Sequence, residues 1–223
     1  MAASYHIDPS LYTLRQMKDD LIGRQLIPSR VSLKEDLEAK FDLLQEHGIH
    51  TLQDLISALK NKKNLIELSI RTGINENYLV LLRREANSYL PNPVTLDRFS
   101  GFSPDVLEGL ADEGIKSSRH LFERAIADPG LRSLADESGI QREVLIELLG
   151  LSDLVRSYGV GPVFARILYD TGIHSIQQFR SYSPRQVVEL YQEQTGKKAD
   201  FTISDIKFSL DLVKVLDLGS NFE

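Results

Sequence analysis

The residues best suited to bind a ligand are the glycines of SYGVGPVFARILYDTGI, residues 157–173. Gly159 and Gly161 flank Val160, and Pro162 opens a run whose apolar residues have helical spacing. Glycine supplies backbone angles that a tight turn between two helices requires. The first amides of a helix also have no acceptor within that helix, and such amides bind anions. The segment therefore predicts a surface turn between two helices, with anion binding as its candidate chemistry.

Signatures of catalysis and of metal binding are absent from the sequence. It contains no cysteine, no Gly-x-Ser-x-Gly, no phosphate loop ending in Gly-Lys-Ser/Thr, and no third glycine that would complete a dinucleotide fingerprint. No pair of histidines has the ligand spacing of a zinc site. We therefore expect a protein that is not an enzyme, with no catalytic residue, no metal and no cofactor.

Charge is distributed unevenly along a chain whose formal net charge is −6. Residues 101–153 carry 5 basic and 11 acidic side chains, whereas residues 154–199 carry 6 basic and 3 acidic ones. The negative total disfavours broad electrostatic capture of nucleic acid. The clearly basic segment nevertheless contains the Gly-Val-Gly turn, and the acidic segment is an alternative surface for a protein partner.

The beginning of the chain lacks the long apolar core of a signal peptide. No window is long and apolar enough to span a membrane. Together with the absence of cysteine, these features predict a cytoplasmic protein without a membrane partner, while its oligomeric state stays open.

A repeat with an offset of 66 residues organises the chain. LLQEHGIHTLQDL, residues 43–55, aligns with GLADEGIKSSRHL, residues 109–121, and in each copy a second Gly-Ile follows the first after 25 residues. A third, partial copy begins at Gly172. We therefore expect residues 31–92 and 98–156 to superpose as two similar units.

Each copy has the pattern of a helix, a glycine and a second helix. Apolar residues recur at steps of three and four, as one buried helix face requires. The Gly-Ile pairs predict left-handed helix ends. Helix starts with a capping box are predicted at Ser32, Thr51, Ser175 and Ser183. No alternating strand pattern occurs, so the predicted fold is all-α, a duplicated helical array.

The predicted organisation has four segments, separated in part by the helix-breaking Pro91 and Pro93. They are an N-terminal helical extension (1–30), a first repeat unit (31–92), a second unit (93–156), and a third partial unit with the Gly-Val-Gly turn and a C-terminal capping helix (157–223).

Residues 158–193, YGVGPVFARILYDTGIHSIQQFRSYSPRQVVELYQE, resemble a helix-hairpin-helix motif of the kind found in the N-terminal domain of RadA-type recombinases. Residues 31–218 also resemble an uncharacterised bacterial family of duplicated helix-hairpin-helix domains, a domain of unknown function. The resemblance implies a tandem array of helix-hairpin-helix repeats.

In helix-hairpin-helix proteins the hairpin backbone contacts a DNA phosphate, so the resemblance implies a DNA or RNA backbone as the partner. The implied nucleic-acid-binding residues are Arg156, Gly159, Val160, Gly161, Val163 and Arg166. In the equivalent turn, Gly101-Phe102-Ser103, the second glycine is replaced and Asp105 stands at the helix start. Because a carboxylate occupies the positive end of a helix, that turn is predicted to be structural.

Overall fold

The computed structural model describes residues 4–127 and 130–216, and every regular element within them is helical. The predicted all-α class is therefore confirmed. The chain forms two compact units, Ile7–Leu90 and a second one that joins Met1–His6 to Pro91–Glu223. Predicted segments 93–156 and 157–223 thus lie in one unit.

The first unit contains α1 (Leu14–Gly23), a 3-10 segment (Pro28–Lys34), α2 (Leu37–Glu46), α3 (Leu52–Ala58), α4 (Lys62–Thr72) and α5 (Glu76–Ser88). Its most buried charge is Glu85 of α5, whose carboxylate pairs with Arg24 and Arg30. A buried carboxylate is tolerated when cations compensate it. This cluster therefore ties the region after α1 to α5.

The second unit contains a 3-10 segment (Leu96–Arg98), α6 (Pro104–Asp112), α7 (Ser118–Ile126), α8 (Gly130–Ser138), α9 (Arg142–Leu154), α10 (Pro162–Asp170), α11 (Ile176–Phe179), α12 (Pro184–Thr195) and α13 (Ile203–Val213). Helix α9 packs against α7, α8, α10 and α11, and α12 packs against α10 and α13. A Cβ on Gly150 would lie 2.5 Å from the carbonyl oxygen of His174 and 2.7 Å from the Tyr169 ring. Glycine at this position therefore allows α9 to approach the chain after α10.

Glycines end the helices as predicted. The Gly-Ile glycines and the matching Gly196 have φ between +64° and +92°, the left-handed range: Gly48, Gly73, Gly114, Gly139, Gly172 and Gly196. At Gly48, for example, the following Ile49 amide donates to the carbonyl of Leu44 at 3.1 Å, which satisfies a carbonyl at the end of α2.

The predicted capping boxes have mixed outcomes. Those at Thr51 and Ser183 are confirmed. Ser175 caps α11 through its hydroxyl, which accepts from the Gln178 amide. The Gln178 side chain accepts from the His174 amide and not from the Ser175 amide that a capping box would use. The box at Ser32 is wrong, since Ser32 lies inside the 3-10 segment and α2 begins five residues later, at Leu37.

Helix bounds in the two units are related by the 66-residue offset. Helix α3 starts at Leu52 and α7 at Ser118, while α5 and α9 share the offset at both ends. Leucines at offset positions are buried in both units: Leu44 and Leu110, Leu55 and Leu121, Leu68 and Leu134, Leu79 and Leu145, Leu82 and Leu148. The superposition of the units stays a prediction.

A short backbone clasp precedes α3 and α7, at the isolated bridges Thr13–Thr51 and Thr95–Ser117. Its hydrogen bonds correspond in the two units: Leu14 N to His50 O and Leu52 N to Tyr12 O, then Leu96 N to Lys116 O and Ser118 N to Val94 O. Residues 12–14 therefore have the same role as residues 94–96. The segment 1–30, treated in the sequence as an extension, contributes one side of the first clasp.

The start of α11 has a different partner. The Ile176 amide donates to Oδ2 of Asp153 at 2.7 Å, and Asp153 is buried near the end of α9. In the other two copies the corresponding amides, of Leu52 and Ser118, donate to backbone carbonyls instead.

Candidate nucleic-acid interface

The Gly-Val-Gly turn connects α9 to α10, as predicted, since α9 ends at Leu154 and α10 begins at Pro162. Gly159 has φ +76°, a conformation that glycine adopts without strain. Gly161 is the N-cap of α10 with φ −87° and ψ 175°, an ordinary extended conformation. A Cβ on Gly161 would meet nothing within 4 Å. The fold therefore requires glycine at 159 and not at 161.

Three backbone amides remain available at the start of α10. The Val160 amide donates to the Ser157 carbonyl at 3.2 Å and its side chain is buried, so Val160 offers no donor to a ligand. Proline at 162 has no N–H. Among the described residues no backbone carbonyl accepts from Gly161, Val163 or Phe164. Val163 is also 74% exposed, which leaves this end of α10 open to solvent.

Arg156 must be removed from the candidate site. Its side chain is 1% exposed, pairs with Asp153, and donates to the carbonyls of Tyr5 and Ser4 at 3.1 Å each. Burial raises the pKa of Asp153, while the Arg156 cation and the Ile176 amide act in the opposite direction. The sequence placed Arg156 beside the turn correctly but could not show that its guanidinium points into the core.

Arg166 lies on α10 within the predicted set, but carboxylates compensate its charge. It pairs with Glu147 of α9 at 2.7 Å and with Asp170 at 3.2 Å. It also donates to the Ser100 carbonyl at 3.0 Å. A phosphate contact through this residue would have to compete with two ion pairs.

The equivalent turn, residues 101–103, is closed by the protein itself. Gly101 has φ +99°, and a Cβ there would lie 3.5 Å from Nη2 of Arg166. Ser103 is the N-cap of α6 without a side-chain capping bond, and Asp105 occupies the first turn. Arg166 thus fills the space beside the turn 101–103, although it belongs to α10, the helix that follows the turn 159–161.

Two cations outside the predicted set of binding residues, Lys197 and Lys198, lie in a segment whose two ends contact α10. Phe164 in the first turn of α10 contacts Tyr191 and Phe201, with ring centroids 5.9 and 5.0 Å apart. The loop between those two rings carries Lys197 and Lys198, both exposed. Both ends of this segment are therefore held against the first turn of α10.

Among the described residues no carboxylate forms an ion pair with Lys197 or Lys198. In the part of the chain that the structure describes, lysine ion pairs involve other positions: Lys18, Lys40, Lys63, Lys207 and Lys214. The sequence signal for this segment was its flanking aromatic residues, Tyr191 and Phe201. Their contact with Phe164 could not be predicted, because it depends on how α10 and α12 pack.

Other classes of site find no support in residues 4–127 and 130–216. There, no group of three histidine, cysteine, aspartate or glutamate side chains is arranged to hold a metal ion. No helix within those ranges has the length and apolar character needed to cross a bilayer.

Within its described residues the second unit is all-helical, and its helix α10 begins after Gly161 without a side-chain cap. Residues 100–214, just over half of the chain, match the model of the family described as Domain of unknown function (DUF4332). The chain belongs to this family. No curated protein and no solved structure matches the chain.

Proposed function

We propose that this protein is a non-enzymatic helix-hairpin-helix protein that binds a nucleic-acid backbone without sequence specificity at the turn 159–161. The observation that carries the proposal is the start of α10, where Gly161 leaves the amides of Gly161, Val163 and Phe164 open. Amides at a helix start, together with the positive end of the helix, favour a phosphate. Glycine at 161 is explained by close approach of a ligand, since the fold does not require it.

The resemblance of residues 158–193 to a helix-hairpin-helix motif supports the same reading, and so do the offset helix bounds of the two units. A phosphate held by amides and lysines gives binding that ignores base identity, because backbone contacts position a protein without reading sequence. We place this function in the cytoplasm on the sequence features alone.

The cationic contribution is assigned to Lys197 and Lys198 in place of Arg156 and Arg166. Two lysines neutralise about two phosphates, so the slope of log affinity against log salt is about −2 on duplex and about −1.4 on a single strand.

Fluorescence anisotropy with labelled DNA and RNA, duplex and single-stranded, over a series of salt concentrations tests the proposal. Weak binding at low salt with that slope, equal for unrelated sequences, is expected. No binding of any of these probes at low salt would refute it.

A second candidate function, a protein-interaction module, is favoured by one face of α6. Asp105, Glu108 and Asp112 of this helix, and Glu113 after it, are all exposed. An acidic helix face of this kind suits a basic protein partner. Charge reversal at Glu108 and Glu113, followed by pull-down from the native cell, tests it, and loss of a partner seen with the native chain would support it.

A further inference from the structure

Two residues of α13 hold the chain just before the turn 159–161. The Oγ of Ser209 donates to the carbonyl of Tyr158 at 2.8 Å, and Tyr158 immediately precedes Gly159. Ser209 is 3% exposed, so water does not compete for this hydrogen bond. The Tyr158 ring also meets the buried Phe208 ring edge-on, with centroids 4.8 Å apart. Helix α13 therefore fixes both the backbone and the side chain of the residue that leads into the turn.

The chain beyond the turn is held by the segment that leads into α13. Phe164, in the first turn of α10, contacts Phe201, whose ring also packs against Tyr191 of α12 with centroids 4.9 Å apart. Phe201 directly precedes Thr202, the N-cap of α13, and a capping box fixes that helix start. Aromatic pairs at such separations add stability beyond the area that they bury. Residues 201–209 thus contact the chain on both sides of the turn.

The closed turn has an anchor at the corresponding carbonyl. Ser100 immediately precedes the left-handed Gly101, and its carbonyl accepts from Nη2 of Arg166 at 3.0 Å. In both turns a side chain from a later helix therefore donates to the carbonyl before the left-handed glycine. The two donors differ in size and charge. The Arg166 guanidinium also lies against Gly101, whereas Ser209 anchors its turn while a Cβ on either glycine of that turn would meet nothing within 4 Å.

An anchor of this kind matters because glycines leave a backbone free to adopt many conformations. Gly159 and Gly161 flank a single residue, so the direction of the amides at the start of α10 depends on contacts that fix the chain around them. A ligand that binds amides already held in place does not have to offset the entropy of ordering them. Residues that touch no ligand can therefore set the affinity of the turn.

We propose that α13 positions the turn 159–161 and that Ser209 is the positioning residue through which it does so. This role rests on the proposed function, since the amides that Ser209 holds in place are those assigned to the phosphate. Ser209 is too deeply buried to contact a ligand and acts through the Tyr158 carbonyl. Phe208 supports the same residue through its ring.

Nuclear magnetic resonance relaxation of the free full-length protein tests the positioning without a ligand. In Ser209→Ala the order parameters of the Gly159 and Gly161 amides should fall from about 0.85, the value of a rigid backbone, towards about 0.6. Ser138→Ala is the matched control, because the Ser138 hydroxyl also donates to a backbone carbonyl, that of Leu134 at 2.7 Å, but in α8. It should leave both glycines rigid. Unchanged order parameters in Ser209→Ala, or an equal fall in Ser138→Ala, would overturn the proposal.

Fluorescence anisotropy at low salt, with labelled duplex and single-stranded DNA and RNA, measures the consequence for binding. Ser209→Ala should bind about threefold or more weakly than the native chain, and Ser138→Ala should stay within about twofold of it. No loss in Ser209→Ala, or an equal loss in both variants, contradicts a positioning role. If the native chain binds none of the probes, the proposed function fails, and the glycine order parameters still decide whether Ser209 fixes the turn.

A second variant keeps the test decisive if circular dichroism shows that Ser209→Ala does not fold. Phe208→Leu retains an apolar side chain and removes the ring contact with Tyr158. The order parameters of Gly159 and Gly161 should fall in this variant as well. If both glycines stay as rigid in Phe208→Leu as in the native chain, α13 does not position the turn.

Discussion

The turns at 101–103 and 159–161 have similar local sequence and different surroundings. Each has a left-handed glycine followed by a helix whose first residue is proline. At the first turn Arg166 lies against Gly101 and Asp105 stands in the first turn of the helix. At the second turn Gly161 faces open space and no acidic residue occupies the first turn. One turn is sealed by the protein, and the other is left accessible.

The difference teaches that a glycine turn followed by a helix with proline at its first position does not by itself define a ligand site. The two turns differ in the space beside the helix start and in the charges that lie near it. Arg166 shows this most clearly, because its charge is compensated by Glu147 and Asp170 while its side chain packs beside the other turn.

The largest expected effect comes from Gly161→Asp. An aspartate at an N-cap puts a carboxylate where the phosphate would bind, so nucleic-acid affinity should fall by more than about tenfold. Aspartate is a good N-cap, so stability should be unchanged or should rise by up to about 1 kcal/mol. Anisotropy and urea unfolding measure the two quantities. Asp105→Asn at the other turn is the control and should not weaken binding.

Arg166→Ala should destabilise the protein by about 1–2 kcal/mol, because it removes hydrogen bonds and leaves Glu147 without its cation. Arg185→Ala, at an exposed position on α12, is the matched control and should stay within about 0.5 kcal/mol of the native chain. Chemical unfolding followed by circular dichroism distinguishes them. Equal stabilities would show that Arg166 does not hold the closed turn together.

A pair of alanine substitutions compares the two turns directly. Gly101→Ala should cost about 1 kcal/mol, since an alanine at φ +99° is strained. Gly161→Ala should cost less than about 0.5 kcal/mol, because its backbone is extended and its Cβ meets nothing. Thermal unfolding is a sufficient measurement. A larger cost at 161 than at 101 would reverse the comparison.

The smallest effect is expected from Lys197→Gln. Loss of one phosphate contact should weaken binding uniformly across sequences and reduce the magnitude of the salt slope by about 1. Lys62→Gln, exposed at the start of α4 in the first unit, is the control and should leave the slope unchanged. A slope unaffected by Lys197→Gln would place the bound phosphate away from this loop.

Local patterns predicted much of the fold. Glycine position and apolar spacing gave the helix ends at Gly48 and Gly114, because those features depend on a few neighbouring residues. The box at Ser32 failed because Ser32 lies within a 3-10 segment that packs against α1 and α5, contacts that a local pattern does not encode. The clasp at residues 12–14 was missed, since its offset from residues 94–96 is 82 and not 66.

The candidate site was predicted only in part. The sequence identified Gly159 and Gly161, whose roles follow from backbone geometry. It could not assign Arg156 to the core or Arg166 to ion pairs, because side-chain direction is decided by helices distant in sequence. Ring contacts of Phe164 with Tyr191 and Phe201, which link the segment that carries Lys197 and Lys198 to α10, depend on the fold and not on local sequence.

The three clasps before α3, α7 and α11 differ in how they would respond to sequence drift. Two are made by main-chain atoms of residues 12–14 and 94–96, which every amino acid except proline supplies. The third depends on the carboxylate of Asp153, which also neutralises Arg156. The hydrogen bonds of the first two clasps therefore do not depend on side-chain type, although Leu14, Leu52 and Leu96 are constrained by their burial. The third bond is lost when the carboxylate of Asp153 is removed, and the same change leaves Arg156 without its ion-pair partner.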